Sequence, residues 1–439
     1  MFKLWIIYYW LGLMFREKWK SREAFLRWQA KRMARFQRRT LRKSPFYRKL
    51  LAEGKTLADF PLMNKTDFMG QFNQINTVGL DRDEAMGFAI EAEQSRSFNT
   101  ELDGLTIGLS TGTSGNRGLF VASPRERARW AANIFSRVVK PRLFHKQKVA
   151  FILRANSNLY ESVKSILFSF RFIHLSTPLA QIIRELNEYQ PGIISGQPSL
   201  LRELAFARKE GILKVTPTQI ISYAEVLEDQ DRKLIEQTFS LQITEVYQCT
   251  EGFLAHSCSH GRLRLNEDLV HFEQKQIDGK RFQPIVTDFT RTSQPVVRYL
   301  MNDVLQLPET PCACGSVFLC LEKIEGRTDE VLDFVGENDQ SISVYPDFIR
   351  RAIVMSSDQI RDYRVEQLSV DKLHVFLQTE SDQFEKAKAA VAAALQKLFA
   401  SYQIADVRLT FFDQLPPLPE GGKMRRIRKV ETVLFKPSI

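Results

Sequence analysis

The stretch from about Lys146 to Tyr247 constrains the fold more than any other part of the chain, because short apolar runs alternate there with segments of helical period. The predicted strands are Lys148–Leu153, Phe172–Ser176, Gly192–Ser195, Gln219–Tyr223 and Gln242–Tyr247, and the predicted helices between them are Tyr160–Phe170, Leu179–Tyr189, Ser199–Arg208 and Asp229–Thr238. Strands that alternate with helices in this way form βαβ units and a mostly parallel sheet. Ligands of such sheets bind at the carboxyl ends of the strands, so we expect the functional loops there.

The character of the sequence changes after about Gly326. The predicted elements of this part are helices over Pro346–Met355 and Phe384–Phe399, a hairpin of Arg364–Ser369 with Lys372–Gln378, and a strand over Val407–Phe412. We therefore expect an α/β protein with a large multi-layer N-terminal domain of mostly parallel sheets, residues 1–326, and a small α+β C-terminal domain, residues 327–439. A length of 439 residues suits two or three domains.

Positive charge is concentrated in one N-terminal segment. Residues 16–49 contain fourteen Lys or Arg and two Glu, a local excess of twelve against a net charge of +11 for the whole chain. The remainder is close to neutral, so we do not expect a nucleic-acid-binding protein. The basic segment suits docking on an acidic acyl carrier protein or on an anionic membrane surface. The alternative is a helix packed on the main domain with a solvated basic face.

An apolar run, Leu4–Phe15, precedes the basic segment. It is shorter than the roughly 20 residues that a membrane-spanning helix needs. Arg16 follows directly and no small-residue cleavage site is present, which argues against a signal peptide. We expect an aromatic-rich helix start and then an amphipathic helix that ends near Ser44-Pro45. Five cysteines make a poor disulfide framework for this length, so the expected location is cytoplasmic, peripheral at the membrane if the basic segment docks there.

The strongest local signal is the segment Leu109–Gly118, LSTGTSGNRG. Its three glycines let the backbone turn sharply and approach a ligand closely. Hydroxyls stand at Ser110, Thr111, Thr113 and Ser114, and hydroxyls with backbone amides together cradle phosphate oxygens. The Lys-Ser/Thr pair of a P-loop is missing. The alternative interpretation is a flexible Gly/Ser turn.

This loop resembles the phosphate loop of the adenylate-forming (acyl-CoA synthetase-like) superfamily, and other segments similar to that superfamily follow in the expected order. They are Pro191–Ser199, Ser222–Glu225, Tyr247–Glu251, Thr287–Asp303, Gly326–Asp329 and Gly422-Lys423. Each segment alone is a weak pattern, but the ordered set covers nearly the whole chain. The layout is most similar to the branch of phenylacetate–CoA ligases and deazaflavin-cofactor adenylyltransferases, which the opening Ser44–Arg48, SPFYR, also fits.

The resemblance implies a role for each matched residue. The ATP phosphates would be bound by the loop residues Ser110, Thr111, Gly112, Thr113, Ser114 and Gly115. The rest of the nucleotide would be bound by Ala224, Glu225, Tyr247, Thr250, Asp303 and Arg327, with Tyr247 on adenine and Asp303 on the ribose. The implied catalytic residues are Thr250 at the α-phosphate, Glu251 as the Mg²⁺ ligand and Lys423 on a mobile loop, with Asp329 as the hinge.

The implied reaction is adenylation of a small-molecule carboxylate by ATP, followed by transfer of the acyl group to the thiol of CoA or of a carrier-protein phosphopantetheine. Such chemistry builds negative charge on phosphoryl oxygens, and hydroxyls, one carboxylate for Mg²⁺ and one lysine are the groups that it needs. Two alternatives stay open: adenylyl transfer to a hydroxyl of a deazaflavin-type cofactor, and a catalytically weak scaffold homologue. No G-x-S-x-G elbow supports a hydrolase.

Three positions depart from the resembled pattern. Gln248 replaces the usual Gly, Arg117 stands where Lys or Pro is common, and Met301-Asn302 precede Asp303 in place of a Thr-Gly or Arg-Thr type pair. None removes a group that the chemistry needs, so these departures bear on the substrate rather than on the reaction.

A second constellation consists of Cys258, His260, Cys312 and Cys314. Three thiols and one imidazole match a structural Cys₃His zinc site, although the C-x-C spacing is tighter than the usual C-x₂-C. His256 is an alternative fourth ligand. The alternative interpretation of the cluster is a set of unrelated thiols.

Overall fold

The computed structural model describes residues 2–15, 19–95, 101–110, 117–139, 147–153, 168–357, 359–380, 382–416 and 425–430. The chain divides into two compact units. The first consists of Met1–Met301 with Gln306–Lys323, and the second of Asn302–Leu305 with Ile324–Ile439. The division predicted between residues 326 and 327 falls inside the strand Lys323–Arg327.

Three helices begin the first unit: α1 (Phe2–Met14), α2 (Arg22–Arg39) and α3 (Pro45–Ala52). The buried side chains of α2 recur every three or four residues, at Phe25, Gln29, Met33 and Phe36, and form its inward face. The amphipathic helix that was expected to end near Ser44-Pro45 ends earlier, at Arg39. A short 3₁₀ turn, Leu41–Lys43, follows, and the Ser44 hydroxyl then caps α3 by accepting from the Tyr47 N–H, so that a new helix starts at Pro45.

A helical segment and a hairpin follow. The helices are α4 (Lys65–Gly70), α5 (Phe72–Ile75) and α6 (Arg82–Gln94), and the hairpin strands β1 (Thr106–Leu109) and β2 (Leu119–Ala122) pair antiparallel. The next helix, α7 (Pro124–Arg137), starts at a capping box in which Ser123 and Glu126 satisfy each other's backbone N–H groups.

The main sheet contains β3 (Gln147–Leu153), β4 (Phe168–His174), β5 (Ile193–Gly196), β6 (Gln219–Tyr223), β7 (Thr244–Cys249), β8 (Gly252–Ser257) and β9 (Leu263–Leu265), in the spatial order β4-β3-β5-β6-β7-β8-β9. The first five strands in that order are parallel, and β8 and β9 are antiparallel. Between the strands lie α8 (Leu179–Tyr189), α9 (Pro198–Lys209) and α10 (Asp229–Phe239). The predicted α/β class with its parallel sheet is confirmed.

One predicted element is wrong where it can be compared. The helix expected over Tyr160–Phe170 ends in residues that belong to β4, while residues 160–167 lie outside the described part of the chain. Phe168 and Phe170 alternate along this strand, with the Phe170 ring stacked 5.7 Å from that of Phe151 on β3. Aromatic side chains favour such a pleated surface, and their short apolar run is not distinguishable from a helix face by pattern alone.

A second sheet of the first unit is antiparallel and contains β10 (Val270–Gln276), β11 (Arg281–Asp288) and β12 (Val296–Leu300). The strands β13 (Asp303–Gln306) and β14 (Lys323–Arg327) are neighbours, and the chain passes from one unit to the other within them.

The second unit is a small α+β structure. Its strands are β15 (Leu332–Val335), β16 (Ser341–Val344), β17 (Ile360–Ser369), β18 (Lys372–Thr379), β19 (Arg408–Phe412) and β20 (Ile427–Lys429), and its helices are α11 (Pro346–Val354) and α12 (Phe384–Ser401). The helix α12 buries Ala387, Val391, Leu395 and Phe399 in one core with both strands of the β17–β18 hairpin.

Across the described ranges, no helix combines the length and the apolar character that crossing a bilayer requires.

Candidate functional site

Three loops leave the main sheet at the carboxyl ends of adjacent parallel strands. Gly196 is paired with Ser222 in the β5–β6 register, and Tyr223 with Val246 in the β6–β7 register. The predicted adenine segment, Ala224-Glu225, therefore continues directly beside Tyr247. Ala224 has a φ of +70°, and the Glu225 carboxylate accepts a hydrogen bond of 3.2 Å from the Ser199 N–H at the start of α9. In parallel sheets, ligands bind at the carboxyl ends of the strands, which is where these three loops lie.

The turn between β7 and β8 carries Thr250 and Glu251. The Thr250 hydroxyl donates to the Glu251 carboxylate at 2.9 Å, and the Thr250 carbonyl accepts from the Arg291 guanidinium at 3.2 Å. Both residues line a narrow cleft together with Ser110 and Gly118. The structure thus brings two of the predicted phosphate-site residues to the entrance of the hydroxyl-rich loop.

The base of that loop is closed by two hydrogen bonds. The Ser110 N–H donates to the Gly118 carbonyl at 2.7 Å, and the Gly118 N–H donates to the Ser110 hydroxyl oxygen at 2.8 Å. Arg117, one of the departures from the resembled pattern, forms an ion pair of 2.5 Å with Glu93 of α6. The remaining predicted loop residues, Thr111, Gly112, Thr113, Ser114 and Gly115, lie outside the described residues.

Lys65 is a residue of this cleft that the sequence reasoning missed. It opens α4 directly after the N-cap Asn64, and it lines the cleft beside Ser110, Thr250 and Glu251. A Cβ atom placed on Gly118 would lie 3.3 Å from the Cε atom of Lys65. An Asn cap marks a helix start in the sequence. No pattern connects residue 65 with residues 110 and 250, because only the tertiary fold brings them together.

A short segment between β11 and β12 supports the Thr250 turn. Arg291 donates to the carbonyls of Thr250 and Val121, at 3.2 Å each. The buried Glu126 carboxylate accepts from the Ser293 N–H at 2.9 Å. Burial acts to raise the pKa of Glu126, but the Arg291 charge and the hydrogen bonds from Ser123 and Ser293 outweigh it and hold the pKa below its usual value.

Asp288, the last residue of β11, directly precedes this supporting segment and is fully buried. Its carboxylate accepts from the N–H and the hydroxyl of Thr290, at 2.7 and 2.6 Å. Burial is the largest influence on this group and raises the pKa of Asp288 above its usual value. A Cβ on Gly252 would lie 3.0 Å from one of its carboxylate oxygens, so the β7–β8 turn packs tightly on this residue.

Gln248, the residue in place of the usual Gly, is held from α7. Its side-chain oxygen accepts a hydrogen bond of 3.1 Å from the Trp130 indole N–H. A glutamine fixed by an indole restricts the space beside Tyr247 and Thr250 more than a glycine would.

Within the second unit, two predicted nucleotide-site residues face each other. The Arg327 Nε atom lies 4.0 Å from an Asp303 carboxylate oxygen. Asp329 stands in the 3₁₀ turn Thr328–Glu330 that follows β14, and its side chain is not among those described. Lys423 lies outside the described residues, which resume at Arg425, whose Nε atom lies 3.2 Å from Glu330.

The predicted metal-site cysteines lie together in the first unit. The Sγ atoms of Cys258 and Cys312 are 3.7 Å apart, and Cys258, His260 and Cys312 offer ligand atoms within 4.8 Å of one another. A second group with the same spacing is formed by Cys312, Cys314 and Cys320. We call these five residues the thiol cluster. Cys320, which the sequence analysis left out, shares the cluster because β9 pairs with its segment through Arg264.

His256, the alternative ligand, belongs instead to the core. Its Nδ1 atom lies 2.7 Å from the Asn266 side-chain oxygen, and its Nε2 atom lies 2.8 Å from the Arg264 guanidinium. Burial, followed by the charges of Arg137 and Arg264, lowers the pKa of His256 to about 3. Both ring nitrogens are engaged, so His256 is not available as a metal ligand in this conformation.

Comparison with known proteins finds relatives that match part of the chain. No protein-family model matches the sequence. Protein CapK of Staphylococcus aureus is 26% identical over 258 residues, which are 58% of this chain and 56% of that protein. A phenylacetate-coenzyme A ligase of Thermus thermophilus is 23% identical over 279 residues, 55% of this chain and 61% of that enzyme. The chain thus matches between half and two thirds of the length of these two relatives.

Solved structures share the fold across most of the chain. A 2-hydroxyisobutyryl-CoA ligase in the postadenylation state, in complex with 2-HIB-AMP, has a TM-score of 0.65 and 17% identity and is covered over 91% of this chain and 88% of its own. An anthranilate CoA ligase in complex with anthranoyl-AMP has a TM-score of 0.53 and 11% identity, with 71% and 66% covered. The chain thus has the fold of these CoA ligases and is similar in sequence to CapK and to a phenylacetate-coenzyme A ligase, in agreement with its resemblance to the adenylate-forming, acyl-CoA synthetase-like superfamily.

Proposed function

We propose that this protein activates a carboxylic acid with ATP, forming an acyl-AMP and releasing pyrophosphate, and then transfers the acyl group to a thiol with release of AMP. The observation that carries the proposal is the cleft in which Ser110, Thr250, Glu251 and Lys65 meet at the carboxyl edge of a parallel sheet. Two hydroxyls, one carboxylate and one ammonium group are suited to binding a polyphosphate and its metal.

In the first half-reaction a carboxylate oxygen of the acid attacks the α-phosphorus of ATP, and the bond from that phosphorus to the pyrophosphate oxygen breaks. Negative charge grows on the α-phosphoryl oxygens and on the departing pyrophosphate. The hydroxyl-rich loop, with Ser110 as its described member, and the Thr250 hydroxyl donate hydrogen bonds to this charge. Lys65 adds a positive charge in the same cleft. Preorganised donors of this kind contribute through electrostatic stabilisation rather than through covalent chemistry.

Glu251 is the residue proposed to hold Mg²⁺. The oxygen donors of this cleft fit that ion, because Mg²⁺ prefers one or two carboxylates alongside phosphate oxygens. When bound, the ion would neutralise phosphate charge. The hydrogen bond from Thr250 fixes the orientation of the Glu251 carboxylate, and Arg291 in turn fixes Thr250 through its carbonyl.

The nucleotide base and sugar are assigned to other residues that the sequence predicted for them. Tyr247 is proposed to stack on adenine beside Ala224 and Glu225, whose backbone continues the adjacent strand. Asp303 is proposed to bind the ribose hydroxyls, with Arg327 close to it. The Gln248 side chain, held by Trp130, would then reduce the space for the acyl group and favour a small or flat carboxylate.

In the second half-reaction the sulfur of the thiol attacks the acyl carbonyl carbon, the thiol proton is lost, and AMP leaves. The structural neighbours include CoA ligases in complex with an acyl-AMP, which supports CoA as the thiol, with a carrier-protein phosphopantetheine as the other candidate. Lys423 is proposed to serve the first half-reaction and Asp329 to be the pivot about which the second unit turns between the two steps.

The thiol cluster is proposed to hold one structural zinc ion. Cysteine sulfur and histidine nitrogen are the ligands that zinc prefers, and a closed set of four leaves no position for a reacting water. Two groups of three donors share Cys312, and we propose that the ligand set is either the four thiols Cys258, Cys312, Cys314 and Cys320 or three of them with His260.

The proposed function is tested by pyrophosphate–ATP exchange with a panel of aryl, short aliphatic, fatty and amino acids. Exchange that depends on one class of acid is the expected result. Thiol acceptors are then compared by following release of AMP from labelled ATP. Label that becomes covalently attached to a deazaflavin-type hydroxyl compound would instead favour adenylyl transfer. No exchange with any acid would favour a scaffold homologue and would contradict the proposal.

A further inference from the structure

The first helix has two distinct faces. One face lies against α7, where the Arg125 and Arg129 guanidinium groups stand over the rings of Trp5 and Tyr9, at 5.0 and 4.9 Å from the ring centroids. The opposite face consists of six large apolar side chains that are between 40% and 80% exposed. They are Leu4, Ile7, Tyr8, Leu11, Met14 and Phe15, and we call them the apolar stripe.

The spacing of the apolar stripe follows the helical period. Its members recur three or four residues apart, so that they share one side of α1 over its whole length. Lys3 is the one charged residue among the described residues of α1. A contiguous exposed apolar face of this kind is uncommon on a protein surface and marks a place of contact with a partner or a membrane.

A cationic pocket lies where α2, α7 and the segment after β11 meet. Its volume is about 480 Å³. The cationic side chains that line it are Arg32, Arg35, Arg39, Lys43 and Arg129. The hydroxyl-bearing residues Thr40, Thr77, Thr292 and Ser293 also line it, and no Asp or Glu is among the described residues at its wall. This composition is suited to phosphate groups, which arginine and lysine bind through charge-assisted hydrogen bonds.

Arg129 joins the two features. It lines the cationic pocket, and it also lies over the Tyr9 ring of α1, with one guanidinium nitrogen 3.5 Å from the Tyr9 hydroxyl. Tyr8, which precedes Tyr9 in the chain, belongs to the apolar stripe, and the centroids of the two rings are 5.3 Å apart. The pocket therefore borders the helix that carries the apolar stripe.

From this arrangement we propose that α1 and the cationic pocket together form a docking surface for an anionic lipid bilayer. The 13 residues of α1 extend for about 20 Å at 1.5 Å per residue, which is shorter than the roughly 30 Å hydrocarbon core of a bilayer. The helix would therefore lie in the plane of the interface instead of crossing the bilayer. The apolar stripe enters the boundary between headgroups and acyl chains, and the pocket receives headgroup phosphates. An acidic protein would satisfy the pocket alone, whereas a bilayer satisfies the pocket and the stripe together.

The experiment is co-sedimentation of the full chain with vesicles of phosphatidylcholine alone and of phosphatidylcholine mixed with phosphatidylglycerol. We expect binding to the anionic vesicles, weak or no binding to the neutral ones, and release at high salt. The double variant Arg35→Glu/Arg39→Glu is expected to weaken binding at least about tenfold, since each basic residue near an anionic surface contributes roughly a fivefold factor. The double variant Leu4→Gln/Leu11→Gln is expected to weaken it by a similar factor.

Two control variants match these changes elsewhere on the chain. Lys386→Glu/Lys397→Glu alters the same total charge on exposed positions of α12, and Ile212→Gln removes a half-exposed apolar side chain from a loop. Both are expected to bind like the unaltered chain. Absence of vesicle binding, or an equal loss in the control variants, would overturn the proposal. So would self-association, seen by sedimentation analysis without lipid, that disappears in Leu4→Gln/Leu11→Gln. Pyrophosphate exchange measured without vesicles is expected to be the same in all of these variants, which separates docking from catalysis.

Discussion

Ser110 and Gly118 hold each other through two hydrogen bonds, of 2.7 Å between the Ser110 N–H and the Gly118 carbonyl and of 2.8 Å between the Gly118 N–H and the Ser110 hydroxyl oxygen. The pair closes the hydroxyl-rich loop at its base and leaves little room for a side chain at position 118. A Cβ there would lie 3.2 Å from the Ser110 Oγ and 3.3 Å from the Lys65 Cε. The loop geometry and the position of Lys65 are thus coupled.

Gly118→Ala is expected to raise the KM for ATP about tenfold in pyrophosphate exchange, because the new methyl group displaces Ser110 or Lys65 by a few tenths of an ångström. Thermal stability is expected to change little. The control is Gly87→Ala in α6, where an added Cβ meets nothing within 4 Å. An unaltered KM in Gly118→Ala would show that this loop base does not position ATP.

Lys65→Gln is expected to lower the rate of pyrophosphate exchange by about 100-fold, the usual cost of losing one preorganised electrostatic contact to a developing charge. Lys65→Arg should restore part of the rate, because it keeps the charge. The matched control is Lys55→Gln, an exposed lysine on the preceding loop that pairs with Glu53 at 2.9 Å. Equal rates for Lys65→Gln and the control would remove Lys65 from the proposed phosphate site.

The thiol cluster is expected to contain one zinc ion per chain by elemental analysis of protein prepared without chelators. Cys320→Ser should lower the zinc content and reduce the Tm by at least about 5 °C, since a lost metal ligand removes folding free energy. Cys249→Ser, a half-buried cysteine outside the cluster, should retain the zinc. Comparison with His260→Ala identifies the fourth ligand, and zinc-free protein would contradict the assignment.

Lys423→Ala is expected to abolish most acyl-AMP formation while leaving thioester formation from supplied acyl-AMP largely intact. Asp329→Pro is expected to show the opposite bias, since proline fixes φ and restricts the preceding residue at the proposed pivot. The two half-reactions are assayed separately on both variants. Equal loss of both steps in Lys423→Ala would mean that this lysine is structural.

The free energy of unfolding is expected to fall as the pH drops below about 6.5. His256 stays neutral in the folded protein down to a pKa of about 3, whereas in the unfolded chain it accepts a proton near its ordinary value of 6.5. The unfolded state therefore binds more protons in this window, and acidification favours it. Burial lowers the pKa of His271 as well and adds in the same direction.

His256→Asn is expected to reduce this pH slope by up to about 1.4 kcal/mol per pH unit, the free energy that corresponds to one proton. Urea denaturation between pH 7 and pH 5 measures the slope in both proteins. An identical slope in His256→Asn would show that this histidine is not kept neutral by the core.

Much of the main sheet was predictable from the sequence. The short apolar run Gln219–Tyr223 and the helical period of Leu179–Tyr189 predicted β6 and α8 at their observed bounds. A short apolar run is typical of a strand buried in a parallel sheet, and a helical period records which face of a helix is buried. The N-terminal helix was placed too long, since the stop at Arg39 depends on the capping of α3 by Ser44. The first residues of β4 were taken for a helix, since Phe168 and Phe170 favour either element until β3 pairs with them.

The sequence by itself determined the α/β class and the order of the motifs, and it predicted Ser110, Thr250 and Glu251 as site residues. Those inferences depend on local periodicity and on residue chemistry, which the chain carries in every conformation. Only the tertiary structure decided that Lys65 lies in the same cleft and that Cys320 belongs to the thiol cluster. It also decided that His256, the alternative zinc ligand, is part of the core. Such neighbours are brought together by sheet pairing and helix packing across long separations in the chain, and no local pattern records those contacts.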